Sequence, residues 1–257
     1  MILLLALITI GVTLFFFRDN LLGEAEASPA EIRSLEALVE AYIEGQGGME
    51  SIQEVQSLRT HGRFYPEEDA EPVPFSIVKK RPYKMRSFFD FPLFSKVQSF
   101  DGEEAWQLLK SNLEPGEKYQ RLTGNEAQLL AQNAHFDHIL IRQYGDFSRL
   151  RFLGKRPFQD RDFYWIEVLT DNFQREKVLL LSPDKFRDVY HLLEDPKTGV
   201  REVIHFQDFK PAGGLHLATN ISSRTEGSLN WKMAIEKIEI NLGISDFFFE
   251  PPEEISE

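Results

Sequence analysis

The sequence predicts an α+β fold in which an antiparallel β-sheet curls and two helices complete the domain. Short segments rich in β-branched and aromatic residues recur at intervals of about ten residues, and turn-forming sequences separate them. Helical periodicity occurs in two segments of the chain. Because no internal repeat, low-complexity tract or linker interrupts this pattern, residues 28–257 are predicted to form one domain.

The first helix is predicted to begin at Ser28, a suitable N-cap that opens the capping-box sequence SPAE. Apolar residues then recur at helical spacing as far as the glycine-rich segment 45–48, which ends the helix. The second helix is predicted to begin at Thr123, in the sequence TGNE, and to continue through AQLLAQNAHFDHILIRQYG to Gly145. The sequence therefore predicts one helix before the strands and one in the middle of the chain.

Strands are predicted wherever period-two patterns lie between turn signals. Asp101-Gly102 is typical of a two-residue hairpin turn, because both residues tolerate positive φ. The period-two pattern on both sides of the turn is interpreted as placing Phe100 and Trp106 on one face, and Asp101 is predicted to have an architectural role in place of a catalytic one. The predicted strands cover residues 58–65, 74–80, 83–89, 96–100, 105–109, 150–155, 163–169, 177–182, 188–193, 200–209, 215–225 and 231–241.

The N-terminus predicts export. Residues 2–17, ILLLALITIGVTLFFF, form an apolar run of the kind found in signal peptides and short membrane anchors. Ala25-Glu26-Ala27 resembles a cleavage site that would release a chain beginning at Ser28. Residues 1–27 are therefore predicted to be either a signal peptide or an N-terminal anchor in the inner membrane.

The composition excludes several classes of function. The formal net charge of −12 opposes binding to nucleic acid, which requires clustered Lys and Arg. The absence of cysteine excludes disulfides, thiol nucleophiles and zinc–thiolate sites. The 22 phenylalanines, in contrast, supply large apolar surfaces that must pack in a core or line a cavity.

No recognised catalytic or cofactor-binding motif is present, so the sequence predicts a protein that is not an enzyme and has no cofactor. The nearest approach to a metal site is the pair His135 and His138, which would share one face of the second predicted helix. A zinc site needs three or four ligands, and the sequence identifies no third. Two histidines without a metal are therefore the favoured interpretation, and a metal-dependent hydrolase is the least favoured function.

Apolar residues supply the remaining site candidates. The aromatic clusters Phe88–Phe94 and Ser245–Pro252 belong either to the core or to the lining or lid of a lipid-sized cavity. Large apolar residues on predicted strands are the candidates for lining such a cavity, although a shift of one residue would reverse the face of each strand. These candidates are Phe75, Ile77, Met85, Phe88, Trp106, Trp165, Val168, Phe206 and Trp231.

Several stretches occur in a suggestive order between about residues 31 and 252. YIEGQGGMESIQEVQSLRTHGRF follows the first helix, and RPYKMR and FDGEEAW come next. LEDPKTGVREVIHFQDFKPAGGLHLATNIS and IEKIEINLGISDFFFEPP follow later in the chain. In this succession they resemble the strands, hairpins, glycine turn and closing segment of the outer-membrane lipoprotein-sorting superfamily, the LolA/LolB-like carriers.

The resemblance implies an incomplete, strongly curved β-barrel for residues 28–257, with helices covering its open side and an apolar cavity between. It also implies a periplasmic carrier that holds lipid or the acyl chains of a lipoprotein, with components of the inner and outer membranes as further partners. The alternative is a membrane-anchored sensor or scaffold module that binds a protein partner. The chain departs from the lipidated receptors of this superfamily because it has no cysteine to carry the lipid.

Overall fold

Thirteen strands and four short α-helices make up the computed structural model, which describes residues 32–195 and 197–252. Within these residues the strands of the first half are β1 (Ser57–Tyr65), β2 (Val73–Lys80), β3 (Lys84–Asp90), β4 (Phe94–Phe100), β5 (Ala105–Ser111) and β6 (Glu117–Arg121). The strands of the second half are β7 (Leu150–Phe158), β8 (Arg161–Leu169), β9 (Arg175–Leu181), β10 (Asp188–Glu194), β11 (Arg201–Ala212), β12 (Leu215–Thr225) and β13 (Ser228–Ile240).

All thirteen strands belong to one antiparallel sheet, in the order β6-β5-β4-β3-β2-β1-β13-β12-β11-β10-β9-β8-β7. Nearly every strand pairs with its neighbours in sequence, because short turns connect them. The exception is the ladder between β1 and β13, which joins the two halves of the chain. The strands β6 and β7 remain as the two edges, so the curved sheet is an incomplete barrel, as the sequence predicts.

The helices are α1 (Leu35–Gly45), α2 (Gly48–Glu54), α3 (Gly124–Ala134) and α4 (Ile139–Arg142), and a 3-10 helix spans Asp246–Phe249. Ser34 is the N-cap of α1, and its hydroxyl accepts a hydrogen bond from the Ala37 amide at 3.2 Å. No helix within the described residues is long and apolar enough to span a bilayer. The predicted signal or anchor, residues 1–27, and the predicted cap Ser28 lie outside the described residues.

Register assigns every strand residue to one of two faces, because ladder partners point the same way and successive residues alternate. We call the face against which α1, α3 and α4 pack the inner face, and the opposite one the outer face. At one end of the sheet α1 and α4 cover inner-face residues of β7–β10, among them Ile166, Val168 and Leu179. At the other end α3 covers Met85 and Ala105. The helices thus cover the two ends of the inner face.

The C-terminal segment, residues 242–249, packs on the outer face. It runs from β13 across β1, β2, β3, β4 and β5, and one polar side chain from each of these five strands bonds one of its backbone carbonyls. The Leu242 carbonyl accepts from Ser57 Oγ, and the Ile244 carbonyl accepts from Lys80 Nζ. The Phe248 carbonyl accepts from the Arg86 guanidinium. The Phe249 carbonyl accepts from both Ser99 Oγ and Trp106 Nε1. The Phe249 side chain is fully buried. The Ser245–Pro252 cluster is therefore a packed outer-face segment, and it does not form a lid over the inner face.

The second predicted helix is wrong in its extent. Its start at Thr123 is confirmed, but α3 ends at Ala134, and the backbone is extended at both His135 and His138 before α4 begins. Tertiary hydrogen bonds hold this interruption, since the His135 carbonyl accepts from Lys79 and the Phe136 amide donates to the Pro82 carbonyl, each at 3.0 Å. The two histidines consequently do not share a helical face.

Candidate ligand-binding site

The central part of the inner face is apolar and only partly covered. It belongs to β1, β2, β11, β12 and β13, between the two ends that the helices cover. Alternation along β13 directs its apolar side chains inward and its charged ones outward. The half-buried apolar residues of this central inner face include Phe64, Ile77, Phe206, Ile221, Trp231, Met233, Ile235 and Ile238.

Aromatic rings extend this surface toward β3. The Phe89 ring lies 5.2 Å from the Phe64 ring in an edge-on contact and 6.0 Å from the Phe75 ring in a stacked one. All three residues belong to the inner face by register, since Phe75 pairs with Phe89. The sheet therefore offers a continuous apolar surface of side chains from β3 to β13.

An opening in the sheet adjoins this surface. The ladder between β12 and β13 begins at the Asn220–Ala234 pair, so residues 215–219 and 235–240 of the two strands are not hydrogen-bonded to each other. We call this gap the interstrand slot. Two voids of about 330 and about 260 Å³ lie at the slot, and Lys210, Thr219 and Ile235 line both. Their volumes are at the lower end of the range for small-molecule pockets.

A glycine closes the far end of the slot. Gly213, in the turn between β11 and β12, has φ +57°, and a Cβ atom at this position would lie only 2.0 Å from Cδ1 of Ile240. A side chain at position 213 would require the Ile240 methyl group to move away and would be strained by the positive φ. The slot is thus bounded by the ladder at one end and by this contact at the other.

Two lysines supply the positive charge near the apolar surface. Lys210 lies at the slot. Lys79 belongs to the inner face of β2, and its Nζ donates to the His135 carbonyl at 3.0 Å. Burial, with a smaller contribution from Arg142, lowers the pKa of Lys79 from 10.5 to about 8. The apolar surface can bury alkyl chains, and Lys210 is the lysine that the voids at the slot expose.

The nine residues that the sequence nominates for a cavity do not line one surface. Six belong to the inner face: Phe75, Ile77, Met85, Val168, Phe206 and Trp231. Of these, Met85 and Val168 are buried beneath the helices, and Ile77 packs against the edge of the cluster under α3. Phe75, Phe206 and Trp231 lie on the central inner face with Ile77, and Phe75 is buried there. The other three, Phe88, Trp106 and Trp165, belong to the outer face.

Trp106 lies on the outer face, opposite to the side on which Phe100 lies. Four residues, 101–104, separate β4 from β5, and Asp101 Oδ1 accepts hydrogen bonds from the amides of Glu103 and Glu104. Trp106 pairs with Ser99 across this loop, and a two-residue turn would have paired it with Val97 on the same face, so a hairpin with either loop separates Trp106 from Phe100. The hairpin and the architectural role of Asp101 are confirmed, and the assignment of Trp106 to the cavity side is wrong.

Sequence reasoning missed Met233, Ile235 and Ile238 of the central inner face. Met233 and Ile235 continue the period-two pattern that starts at Trp231, so a signal was present in the sequence. The interstrand slot had no such signal, because it depends on where the pairing of β12 with β13 stops. The aromatic cluster Phe88–Phe94 is divided, since Phe89 faces inward while Phe88 and Phe94 are exposed.

No family model and no curated protein matches the sequence. Solved structures do match, at low sequence identity. A DUF1329 family protein from Desulfovibrio piger aligns with 84% of this chain and 97% of its own, at 13% identity and a TM-score of 0.57. A LolA superfamily protein from Nitrosomonas europaea covers 86% of this chain and 99% of its own, at 15% identity and a TM-score of 0.54. A putative outer membrane lipoprotein-sorting protein domain from Vibrio parahaemolyticus covers 84% and 97%, at 13% identity and a TM-score of 0.54.

These structures confirm the resemblance of fold that the sequence motifs indicate. The alignments cover almost the full length of the three similar chains, so the fold of this protein as a whole is like theirs. At 13–15% identity the likeness establishes the fold and leaves the ligand to be inferred from the site itself.

Proposed function

We propose that the protein is a periplasmic carrier without catalytic activity that binds lipid or the acyl chains of a lipoprotein on its central inner face. The observation that supports it is the half-buried apolar surface of β1, β2, β11, β12 and β13, which lies between the two ends that the helices cover. A water-exposed surface of this kind gains free energy when it buries alkyl chain. Two of the similar structures, a LolA superfamily protein and a putative outer membrane lipoprotein-sorting protein domain, support this class of ligand.

The expected affinity follows from the area available. Each buried methylene contributes about 0.8 kcal/mol, so an acyl chain of about 16 carbons with half its length buried gains about 6 kcal/mol. Ordering of the chain reduces this gain, and a cation near the carboxylate adds to it. The sum corresponds to a dissociation constant of about 10–100 μM. Binding of this strength suits a carrier that must release its cargo.

Fluorescent fatty-acid displacement with a matched pair of double variants tests the proposal. Met233→Gln/Ile235→Gln makes the inner face of β13 polar, whereas Lys232→Gln/Glu236→Gln changes exposed positions of the same strand and preserves net charge. We expect the first pair to weaken binding by about tenfold and the second by less than twofold. Equal effects of the two pairs would contradict the inner-face assignment.

Native mass spectrometry of protein purified from a membrane-containing host is the complementary test. A carrier is expected to retain a lipid or acylated peptide. If the protein carries no lipid, ignores fatty-acid probes and instead retains one stoichiometric protein partner, it is the scaffold module and not a carrier.

A further inference from the structure

Two histidines and one carboxylate converge at the start of α4, beside the central inner face, where the His191 ring lies 4.6 Å from the Phe206 ring. Asp188 Oδ2 accepts hydrogen bonds from Nε2 of His138, at 3.0 Å, and from Nε2 of His191. One potential ligand atom from each of the three residues lies within 4.8 Å of the other two. The cluster is largely buried, since the exposed side-chain fractions are 23% for His138, 10% for Asp188 and 13% for His191.

A β-bulge brings the two residues of β10 together. Residues three apart on a regular strand point to opposite faces. The register of β10 against β9 shifts between Asp188 and Tyr190, and Asp188 and His191 therefore share the inner face. Bulges recur next to functional sites because they re-aim one side chain without breaking the sheet. The third member, His138, is the N-cap of α4, so the cluster joins a helix to the sheet.

One of the two carboxylate oxygens of Asp188 has no hydrogen-bond partner within the described residues. Its Oδ2 atom accepts from both imidazoles, while its Oδ1 atom is buried and has no hydrogen-bond partner within the described residues. A buried carboxylate oxygen without a partner costs about 1–3 kcal/mol or more. An ion bound by the carboxylate would satisfy both oxygens.

The ligand set has the chemistry of a transition-metal site. Imidazole nitrogen and carboxylate oxygen are ligands that suit zinc, with bonds of about 2.0–2.2 Å. In tetrahedral coordination such bonds separate the ligand atoms by about 3.3 Å, close to the 3.0 Å between His138 Nε2 and Asp188 Oδ2. Three protein ligands would leave a fourth position for water.

We propose that His138, Asp188 and His191 form a binding site for a divalent transition-metal ion, with zinc as the ion that the ligand set favours. Each imidazole would bind through Nε2 after releasing the proton that it now directs at Asp188. The remaining proton of the His138 imidazole would then lie on Nδ1, so the long 3.4 Å hydrogen bond that Nδ1 now accepts from the Leu140 amide would be lost when the ion binds. The bound ion would fasten α4 to β10.

The test uses the full chain, prepared without an affinity tag and stripped with a chelator. Equilibrium dialysis against zinc chloride, with metal counted by mass spectrometry, should give one zinc ion per chain with a micromolar or lower dissociation constant. His191→Ala should weaken binding by at least 100-fold. His205→Ala is the matched control, because His205 stacks on Tyr190 at 4.1 Å on the outer face of the adjacent strand, and it should retain full binding.

A second measurement guards against loss of folding. Cobalt(II) added to the unaltered chain should produce the visible absorption bands of a four-coordinate N/O site, and Asp188→Asn should abolish them. Substoichiometric zinc, or zinc binding that survives His191→Ala, would overturn the proposal and would indicate adventitious binding at surface histidines. An unaltered chain that shows no cobalt bands would overturn it as well.

Discussion

Replacement of Phe249 by alanine tests whether the C-terminal segment holds the first half of the sheet in shape. The Phe249 side chain is 0% exposed, and its carbonyl accepts from Ser99 Oγ at 2.8 Å and Trp106 Nε1 at 2.9 Å. The Trp106 side chain beneath it is 1% exposed, on the outer face. Phe249→Ala would therefore leave a cavity above a buried indole, while the backbone hydrogen bonds could still form.

The magnitude follows from the size of the deletion. Phenylalanine-to-alanine substitutions at fully buried positions cost about 3–5 kcal/mol, because lost transfer free energy and the residual cavity add. In a domain of this size each kcal/mol lowers the melting temperature by about 2–4 °C. We therefore expect Phe249→Ala to lower the melting temperature by about 10 °C.

Phe247→Ala is the matched control for this prediction. It removes the same side chain from the same 3-10 helix, but Phe247 is 59% exposed, so its loss should cost less than 1 kcal/mol. Urea unfolding followed by circular dichroism and by tryptophan fluorescence measures both variants. If the two lose equal stability, Phe249 does not anchor the segment and our account of the outer face is wrong.

Three further substitutions have clear expectations. Gly213→Ala should lower the unfolding free energy by about 2–4 kcal/mol because its Cβ would meet Ile240. Gly199→Ala, also at positive φ but with open space around it, should lower it by about 1 kcal/mol. Thermal melts compare the two variants, and equal losses of stability would refute the close contact. Lys79→Met should raise the unfolding free energy by about 1–2 kcal/mol at pH 7. This gain in stability should fade between pH 8 and 10.5, because in that range Lys79 is protonated in the unfolded chain and neutral in the folded one. Denaturant titrations across this range measure the gain, and a gain that stays constant would contradict the lowered pKa of Lys79. Asn241→Ala should cost about 2 kcal/mol in the same assay because its side chain makes two hydrogen bonds to the chain after α2, and a loss below 0.5 kcal/mol would count against them.

The strands could be predicted because their periodicity is local. Trp231, Met233 and Ile235 alternate with polar or small residues, and β13 does direct them to one face. The predicted strand 215–225 matches β12 at both ends. Local pattern also indicated the interruption of strands by tight turns, so the antiparallel class of the fold followed directly from the sequence.

Features that depend on distant contacts could not be predicted in the same way. The break after Ala134 depends on hydrogen bonds to β2 and to the turn that follows it, about 55 residues away. Which face of the sheet the helices cover is also set by distant contacts, so the hairpin pattern alone could not show that Trp106 packs under the C-terminal segment on the outer face. Asp188 and His191, which join His138 in the proposed metal site, lie some 50 residues beyond it in the sequence. A β-bulge turns both to the same face, and the sequence pattern does not indicate that bulge.

Photoaffinity labelling with a fatty acid that carries a diazirine near its methyl end tests the central claim most directly. After irradiation and proteolysis, mass spectrometry identifies the labelled peptides. We predict saturable labelling, displaced by unlabelled fatty acid, in the peptides that contain Phe64, Phe75, Met233 and Ile235 of the central inner face. Labelling confined to the outer-face cluster around Phe163 and Leu180, or labelling that unlabelled fatty acid cannot displace, would contradict it.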